Sequence, residues 1–399
     1  MLKVVFVGHR DLYFGAESVL FRVMMIVKNK GIALPLLVLP ISAAAGFRSQ
    51  FKDPPNKNHQ PQDIKRVHFK LLNGSLIRSI VCLIYQLPAL VRLYIYYRKQ
   101  QVDVIYTNTI VNTIGPLLAL MLNKRHIWHL HEQPTPGKFK WLPRGLFPFY
   151  RFLLRQPQNT IIFVSRQQQS LWQNEFGCTF PNSKVIYTPP ERIQTVPQDL
   201  IEQHDDLQER ASAAASGEQT IPSTINYGFL GSFTASKNLD SLLRCFAQLQ
   251  SNYPDQKCQL FLMGEGEMEA NLKIQIKHLG LQNSVTLLPY SRQTNSFFTA
   301  ITIFVLPSWF ESWGLVALEA IAQQKNLILT QNTALTEVLD QRDCRFIDPE
   351  QEVTLYAAME RLLIDPVLRS KLAKHAFQTL QRLNLAADFE LAITTLFIK

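Results

Sequence analysis

Only five cysteines occur in 399 residues (Cys82, Cys178, Cys245, Cys258 and Cys344), and no two of them form a C-x-x-C pair. An odd, scattered set supplies neither a disulfide frame nor a zinc site and points to free thiols in a reducing compartment. No zinc-finger, homeodomain or RNP-type pattern is present, which argues against nucleic acid as a partner. No repeat of fixed period is visible. An uninterrupted apolar span is also missing: residues 77–97, IRSIVCLIYQLPALVRLYIYY, are broken by Gln86, Pro88 and Arg92. Arg92 alone would cost about 2.5–3.5 kcal/mol at a bilayer centre, so this stretch is expected to be a buried or interfacial helix. The opening residues MLKVVFVGH read as a strand entering a loop rather than a leader, and the expected location is the cytoplasm.

What is present is a basic, core-forming chain. Lys and Arg (41) exceed Asp and Glu (31), leaving a formal charge of +10 that favours an anionic partner. Peripheral contact with the anionic inner face of a membrane is the expectation. Residues 138–155, KFKWLPRGLFPFYRFLLR, read as a membrane-surface segment or as a helix turning aromatics to the core and basic residues to water. Hydrophobic content of 47% and charged content of 18% are ordinary for a globular protein, and the length predicts two domains.

Short β-rich runs alternate with helical stretches. In the first half they cover residues 2–8, 33–39, 102–108, 127–132, 160–165 and 184–188. In the second half they cover 225–231, 259–264, 285–289, 302–307, 327–330 and 345–348. Such alternation predicts an α/β protein of two doubly wound, Rossmann-like domains, with a ligand crevice between them. The expected boundaries are 1–190 for the first domain, 191–223 for a polar linker or mobile loop, and 224–385 for the second domain. Residues 46–66, basic and proline-containing, read as a loop facing the acceptor side.

The stretch ESWGLVALE, Glu311 to Glu319, sets two carboxylates eight residues apart around a glycine. In one helix that spacing means about 80° of rotation and about 12 Å of rise, so the pair cannot act on one atom. Strand, loop and then helix from about Leu315 is the better reading, with Glu311 on the loop and Glu319 one turn into the helix. Free amides at such a helix start suit phosphates, and the two carboxylates suit sugar or ribose hydroxyls at either end of an elongated ligand. A solvated loop residue and an ordinary helix residue remain the alternative. In GSFTASKN, residues 231–238, a strand, a glycine and then Lys237 at a helix entry supply the close backbone approach and single positive charge that a diphosphate needs.

These residues carry a resemblance. Over residues 225–339, GFLGSFTASKN, LFLMGEGEMEANL, VTLLPYSRQ and IFVLPSWFESWGLVALEAIA follow the order and spacing of family 4 glycosyltransferases, with their E-x7-E signature. The first half is similar more loosely: GHRDLYFGAES resembles the family's Gly-rich first loop, which includes Gly15, and HLHEQP resembles its central His-acid motif. On a strand His129 and His131 would share a face, which invites a metal, but no third ligand has suitable spacing.

The resemblance implies the GT-B fold, two Rossmann-like domains facing each other across a cleft. It implies a final segment, 386–399, whose helix packs back on the first domain. The implied reaction is metal-independent transfer, with retention, of a sugar from a UDP- or GDP-linked donor to a glycan or lipid-linked acceptor in polysaccharide or glycolipid synthesis. His131 would lie beside the donor sugar, Lys237 would neutralise the leaving diphosphate, and Glu311 would hold the sugar hydroxyls. Gly231, Ser232 and the amides around Ser312, Trp313, Gly314 and Leu315 would approach the donor, and Glu319 would take the ribose. No cofactor and no nucleophile are implied. Ser232 stands where the family usually has an arginine, which removes one bidentate phosphate clamp. Phe14 stands before Gly15 where paired glycines are common, and residues 332–339 lack the glycines often found there. A catalytically weak binding partner of an active transferase, and a nucleotide-sugar epimerase or hydrolase, fit the same fold.

Overall fold

The computed structural model describes residues 1–8, 15–40, 63–67, 75–134, 143–190, 224–291 and 293–398. Contacts divide the chain into one unit of residues 1–188 with 385–399 and a second of residues 189–384. The expected linker at 191–223, Phe14 and residues 46–62 of the expected acceptor loop lie outside the described residues.

In the first unit β1 (Leu2–Val7), α1 (Gly15–Asn29), β2 (Ala33–Pro40), β3 (Asp63–Val67), α2 (Leu76–Gln100), β4 (Val104–Asn108) and α3 (Ile114–Leu122) follow in order. They are succeeded by β5 (Arg125–Leu130), α4 (Phe147–Leu154), β6 (Asn159–Phe163), α5 (Arg166–Phe176) and β7 (Ser183–Val185). The strands form one sheet, β3-β2-β1-β4-β5-β6-β7, parallel throughout. Strands such as Val4–Val7 and Val104–Asn108 are buried at every position, because a parallel sheet is covered on both faces and has no solvent side to mark with polar residues. Helix α12 (Leu385–Ile398) belongs to this unit: it packs on α1, and Phe397 stacks against Tyr106 and lies 6.3 Å from Phe6.

One sequence expectation changes here and two are narrowed. Residues 63–66, read as the end of a loop, belong to the edge strand β3, paired with β2 from Leu36↔Asp63 to Pro40↔Val67. Its sequence DIKRV lacks the apolar run that marks the inner strands, and pairing along one edge is enough to hold it. Helix α2 is only half buried: its inner face enters the core, with Ala89, Leu90, Leu93 and Tyr97 packed in a cluster with Ile105 and Leu118. From residue 143 onward, the basic and aromatic stretch follows the core reading. Tyr150, Leu153 and Leu154 are buried, while Arg144, Arg151 and Arg155 face water.

A buried polar chain crosses the middle of this sheet. Thr107 Oγ1 meets His126 Nε2 at 2.7 Å, and His126 Nδ1 meets Asn159 Oδ1 at 3.0 Å. The Asn159 amide nitrogen donates to the Leu153 carbonyl, so its oxygen faces the histidine, and Nδ1 carries the ring proton. Gly115 closes the network from above: a Cβ there would stand 1.7 Å from Thr107 Oγ1. His129, three residues further along β5, is hydrogen-bonded through Nδ1 to the Tyr106 hydroxyl at 2.6 Å.

The second unit runs β8 (Ile225–Leu230), α6 (Leu239–Asn252), β9 (Cys258–Met263), α7 (Glu269–His278), β10 (Val285–Leu288) and α8 (Asn295–Ala300). It continues with β11 (Ile303–Leu306), α9 (Leu315–Ala322), β12 (Asn326–Thr330), β13 (Arg345–Ile347), α10 (Glu352–Ile364) and α11 (Pro366–Arg382). Its parallel sheet has the order β10-β9-β8-β11-β12-β13, which is the doubly wound order 3-2-1-4-5-6. The first sheet has the same order with one added strand, β7. In each sheet the winding reverses between the first strand of the unit and the fourth, β1 and β4 or β8 and β11. At that point the loops leaving the two strands diverge and leave a crevice.

Burial pushes His126 and His129 each down to about 3 from an ordinary value near 6.5. A depressed folded-state value means that their stabilising share is complete above about pH 6.5 and is lost as the pH falls toward about 3. By pH 5 each should have lost about 2 kcal/mol. Urea unfolding of the first unit at pH 7.5 and pH 5.0 should show this loss, and His126→Gln should remove about half of the pH dependence.

Candidate functional site

At the switch point of the second sheet the loop after β8 meets the loop after β11. The first of these, 231–238, is built on backbone contact with its neighbour after β9. The Gly231 amide donates to the Met263 carbonyl, Phe233 to Glu265, and Met268 back to Phe233, at 2.9–3.0 Å. Strand pairing thus continues past the strand ends. It requires small residues: a Cβ on Gly264 would lie 1.9 Å from the Gly231 carbonyl oxygen, and one on Gly266 would lie 2.5 Å from that of Phe233. The glycines of LFLMGEGE therefore have a packing role in setting the path of the Lys237 loop. Ser232 is exposed on that loop.

Lys237 ends a short 3-10 turn, Ala235–Lys237, and Asn238 follows in the left-handed region at φ 54°. Asparagine tolerates that conformation because its short side chain bonds locally. Here its amide reaches the Pro307 carbonyl at 3.3 Å, and its oxygen accepts from Ser241 at 2.9 Å. A further bond, Trp309 amide to Ser236 carbonyl at 3.0 Å, closes the seam between the two loops.

Across this seam Lys237 Nζ forms an ion pair with Glu311, although the two are 74 positions apart in sequence. Ser308 Oγ donates to the same carboxylate oxygen at 2.9 Å. The side chains are 21% and 14% exposed, so the pair is screened less than a surface salt bridge yet still open to a ligand. Glu311 is also fixed through its backbone. Its amide donates to Asn332, its carbonyl accepts from Ala334, and the Asn332 side chain donates to the Trp309 carbonyl at 3.0 Å. The segment after β12 thus buttresses the carboxylate.

Gly314, at φ 87°, turns the chain from this loop into α9. A Cβ there would be strained by that backbone conformation and would also lie 3.1 Å from Leu335 Cδ1. Trp313 is buried beneath the turn, Ser312 and Leu315 are half-buried, and Glu319 is half-buried one turn into α9. The structure therefore brings Gly231, Ser232, Lys237, Glu311, Ser312, Trp313, Gly314, Leu315 and Glu319 to one end of one sheet. The spacing of ESWGLVALE is realised as loop, turn and helix. Ser308, Asn238 and Asn332 complete the arrangement. Their only sequence signals are the Pro-Ser after an apolar strand and asparagines at chain reversals.

His131 and Gly15 belong to the first unit. Asn108, at the end of β4, connects them: its amide nitrogen donates to the Ala16 carbonyl at 2.9 Å, and its oxygen lies 2.8 Å from His131 Nε2. Since a carbonyl can only accept, the asparagine's orientation is determined, and His131 must carry its proton on Nε2. The rings of His129 and His131 stand 4.2 Å apart on one face, as alternation along a strand requires. Glu132 accepts from the Ile110 amide at 3.1 Å and from the His131 amide at 3.3 Å, which fixes the turn that follows β5. Gly15 opens α1, and among the described residues a side chain there would meet nothing within 4 Å. Among the described residues no cluster of three or more His, Cys, Asp or Glu side chains could hold a metal ion.

Comparison with known proteins agrees with this architecture. Residues 218–379 match the family model described as "Glycosyl transferases group 1". An uncharacterized glycosyltransferase of Haemophilus influenzae is 34% identical over 227 residues, 56% of this chain and 56% of its own length. The lipopolysaccharide core biosynthesis glycosyltransferase LpsE of Rhizobium meliloti is 28% identical over 38% of this chain and 43% of its own. The chain thus spans about half the length, or less, of these curated relatives. Anabaena Alr3699/HepE, solved in complex with UDP and glucose, superposes with a TM-score of 0.75 at 19% identity, covering 99% of both chains. With two Rossmann-like units and a matching solved structure along its whole length, the chain has the GT-B fold.

Proposed function

We propose that the protein is a retaining glycosyltransferase, similar to family 4, that moves a sugar from a nucleoside diphosphate donor to a glycan or lipid-linked acceptor. The observation that carries this reading is the Lys237–Glu311 pair, held by Ser308 at the switch point of the unit that matches the family model. A cation and a carboxylate in contact offer complementary groups to a ligand that carries phosphate beside hydroxyls.

In this mechanism Lys237 stabilises the charge that develops on the departing diphosphate, which is the main electrostatic demand of sugar transfer from such a donor. Glu311, positioned by Ser308 and by its backbone bonds to residues 332–334, accepts from the sugar hydroxyls. The amides at the start of α9 and beside Gly231 receive phosphate oxygens, and Glu319 accepts from the ribose. His131, in the first unit, presents a ring whose tautomer Asn108 determines. The transfer proceeds without a protein nucleophile or a metal; the leaving phosphate takes the acceptor proton. A UDP-linked donor has support in the UDP and UDP-glucose complexes of the Anabaena neighbour, and a lipopolysaccharide or related glycan acceptor in the name of the Rhizobium relative.

Three measurements test this reading. Thermal unfolding with UDP, GDP and UDP-glucose at about 100 times the dissociation constant should show about 2.7 kcal/mol of stabilisation for one base, a shift of several degrees. Glu319→Ala should abolish that shift; no response to any nucleotide from folded protein would reject the donor assignment. In sugar-transfer assays Lys237→Ala should lower turnover about 100-fold or more. Without donor, a double-mutant cycle of Lys237→Met and Glu311→Gln should give a coupling of about 1 kcal/mol, checked by urea unfolding.

A further inference from the structure

Among the described residues, eighteen large apolar side chains are exposed, and nine of them lie on the single helix α2. At about 100° per residue, Ile77, Ile80, Val81, Ile84, Val91 and Ile95 fall on one stripe along the helix. The stripe lies directly opposite the buried positions Ser79, Gln86, Ala89, Leu90, Leu93 and Tyr97. Exposure is large along its whole length: 75% at Ile77, 61% at Ile84 and 55% at Ile95. The stripe runs for about 27 Å at 1.5 Å per residue. A surface helix normally turns its polar face outward, so an apolar outer face of this extent marks a site of contact.

The charges along the helix identify the kind of contact. Arg78, Arg92, Arg98 and Lys99 are exposed, and α2 carries no Asp or Glu at all. Gly145 abuts the first residue of the helix, where a Cβ would lie 2.8 Å from Leu76 Cδ2, and this brings the exposed Arg144 beside the same end. A second copy pairing stripe to stripe would set arginines against arginines with no carboxylate on the face to answer them. Spanning a bilayer is also disfavoured. The inner face is part of the core of the first unit, and Gln86 accepts a 2.6 Å hydrogen bond from buried Thr113 there. An apolar stripe flanked only by cations fits the acyl and headgroup layers of an anionic membrane, with the helix lying in the interface plane.

We propose that the outward face of α2 docks the protein on the surface of an anionic lipid bilayer, inserting Ile77, Ile80, Val81, Ile84, Val91 and Ile95 at the headgroup boundary. This surface is independent of the sugar-transfer reading and stands whatever reaction the second unit performs.

Co-sedimentation of the full chain with vesicles tests it, using phosphatidylcholine alone and phosphatidylcholine with about 30% phosphatidylglycerol, a charge that basic residues read near the surface. Binding to the anionic vesicles is expected, and Ile84→Glu/Val91→Glu should weaken it at least about tenfold without lowering the melting temperature. Ile84→Ser/Val91→Ser serves if the charged pair disturbs folding. Arg92→Gln should cost about fivefold on anionic vesicles and nothing on neutral ones. Three results would overturn the proposal: no sedimentation with either vesicle, equal binding by the folded stripe variants, or light scattering that shows a dimer which those variants convert to a monomer.

Discussion

The contact between Lys237 and Glu311 depends on a topological fact before it depends on charge. Strands β8 and β11 are neighbours in the sheet but not in the sequence, and the winding reverses between them. Loops leaving two such strands open away from each other, so their first residues face one crevice. Everything else at this end serves to fix those loops. Glycines let the loop after β8 lie on the backbone of the loop after β9, Asn238 and Trp309 close the seam, and the segment after β12 supports Glu311. The ion pair is the outcome of that scaffold, with Ser308 sharing the carboxylate.

The same winding in the first unit gives a different chemical result. Its strand ends carry asparagine and histidine rather than a cation and a carboxylate, and the buried polar groups are arranged in pairs: Tyr106 with His129, Asn108 with His131, Thr107 with His126. Each pair supplies a hydrogen bond to groups that would be costly to bury without one, although His129 Nε2 has no partner among the described residues. Orientation follows from this economy of partners. Asn108 and Asn159 each give their amide nitrogen to a carbonyl and thereby determine which ring nitrogen of the facing histidine holds the proton. Helix α2 runs against the general pattern, keeping its polar contacts inside and its isoleucines outside.

Legibility in the sequence followed burial. Six strands in each half could be read directly, the inner ones from their apolar runs. The edge strand β3 could not, since DIKRV has neither alternation nor an apolar run, and only its pairing with β2 makes it a strand. Lys237, Glu311 and Glu319 stood out because their spacing is written around glycines at element junctions. Ser308, Asn332 and Asn108 did not, because a hydrogen bond between loops leaves no periodic trace in either loop. For α2 the apolar content was plain in IRSIVCLIYQLPALVRLYIYY, but the content alone could not say which face met the core.

The sequence by itself determined the class of the fold, the two-part organisation, and the junctions at which chemical groups would be presented. These are local properties: a strand long enough to bury, a glycine where the chain must turn, a lysine at a helix entry. Tertiary structure alone decided which junctions meet, which histidine nitrogen carries its proton, and which side of α2 is left in water. Each of those depends on partners far away in the chain, such as the 74 positions between Lys237 and Glu311 or the 23 between Asn108 and His131. Contacts of that range arise only when the sheet order sets the strands side by side.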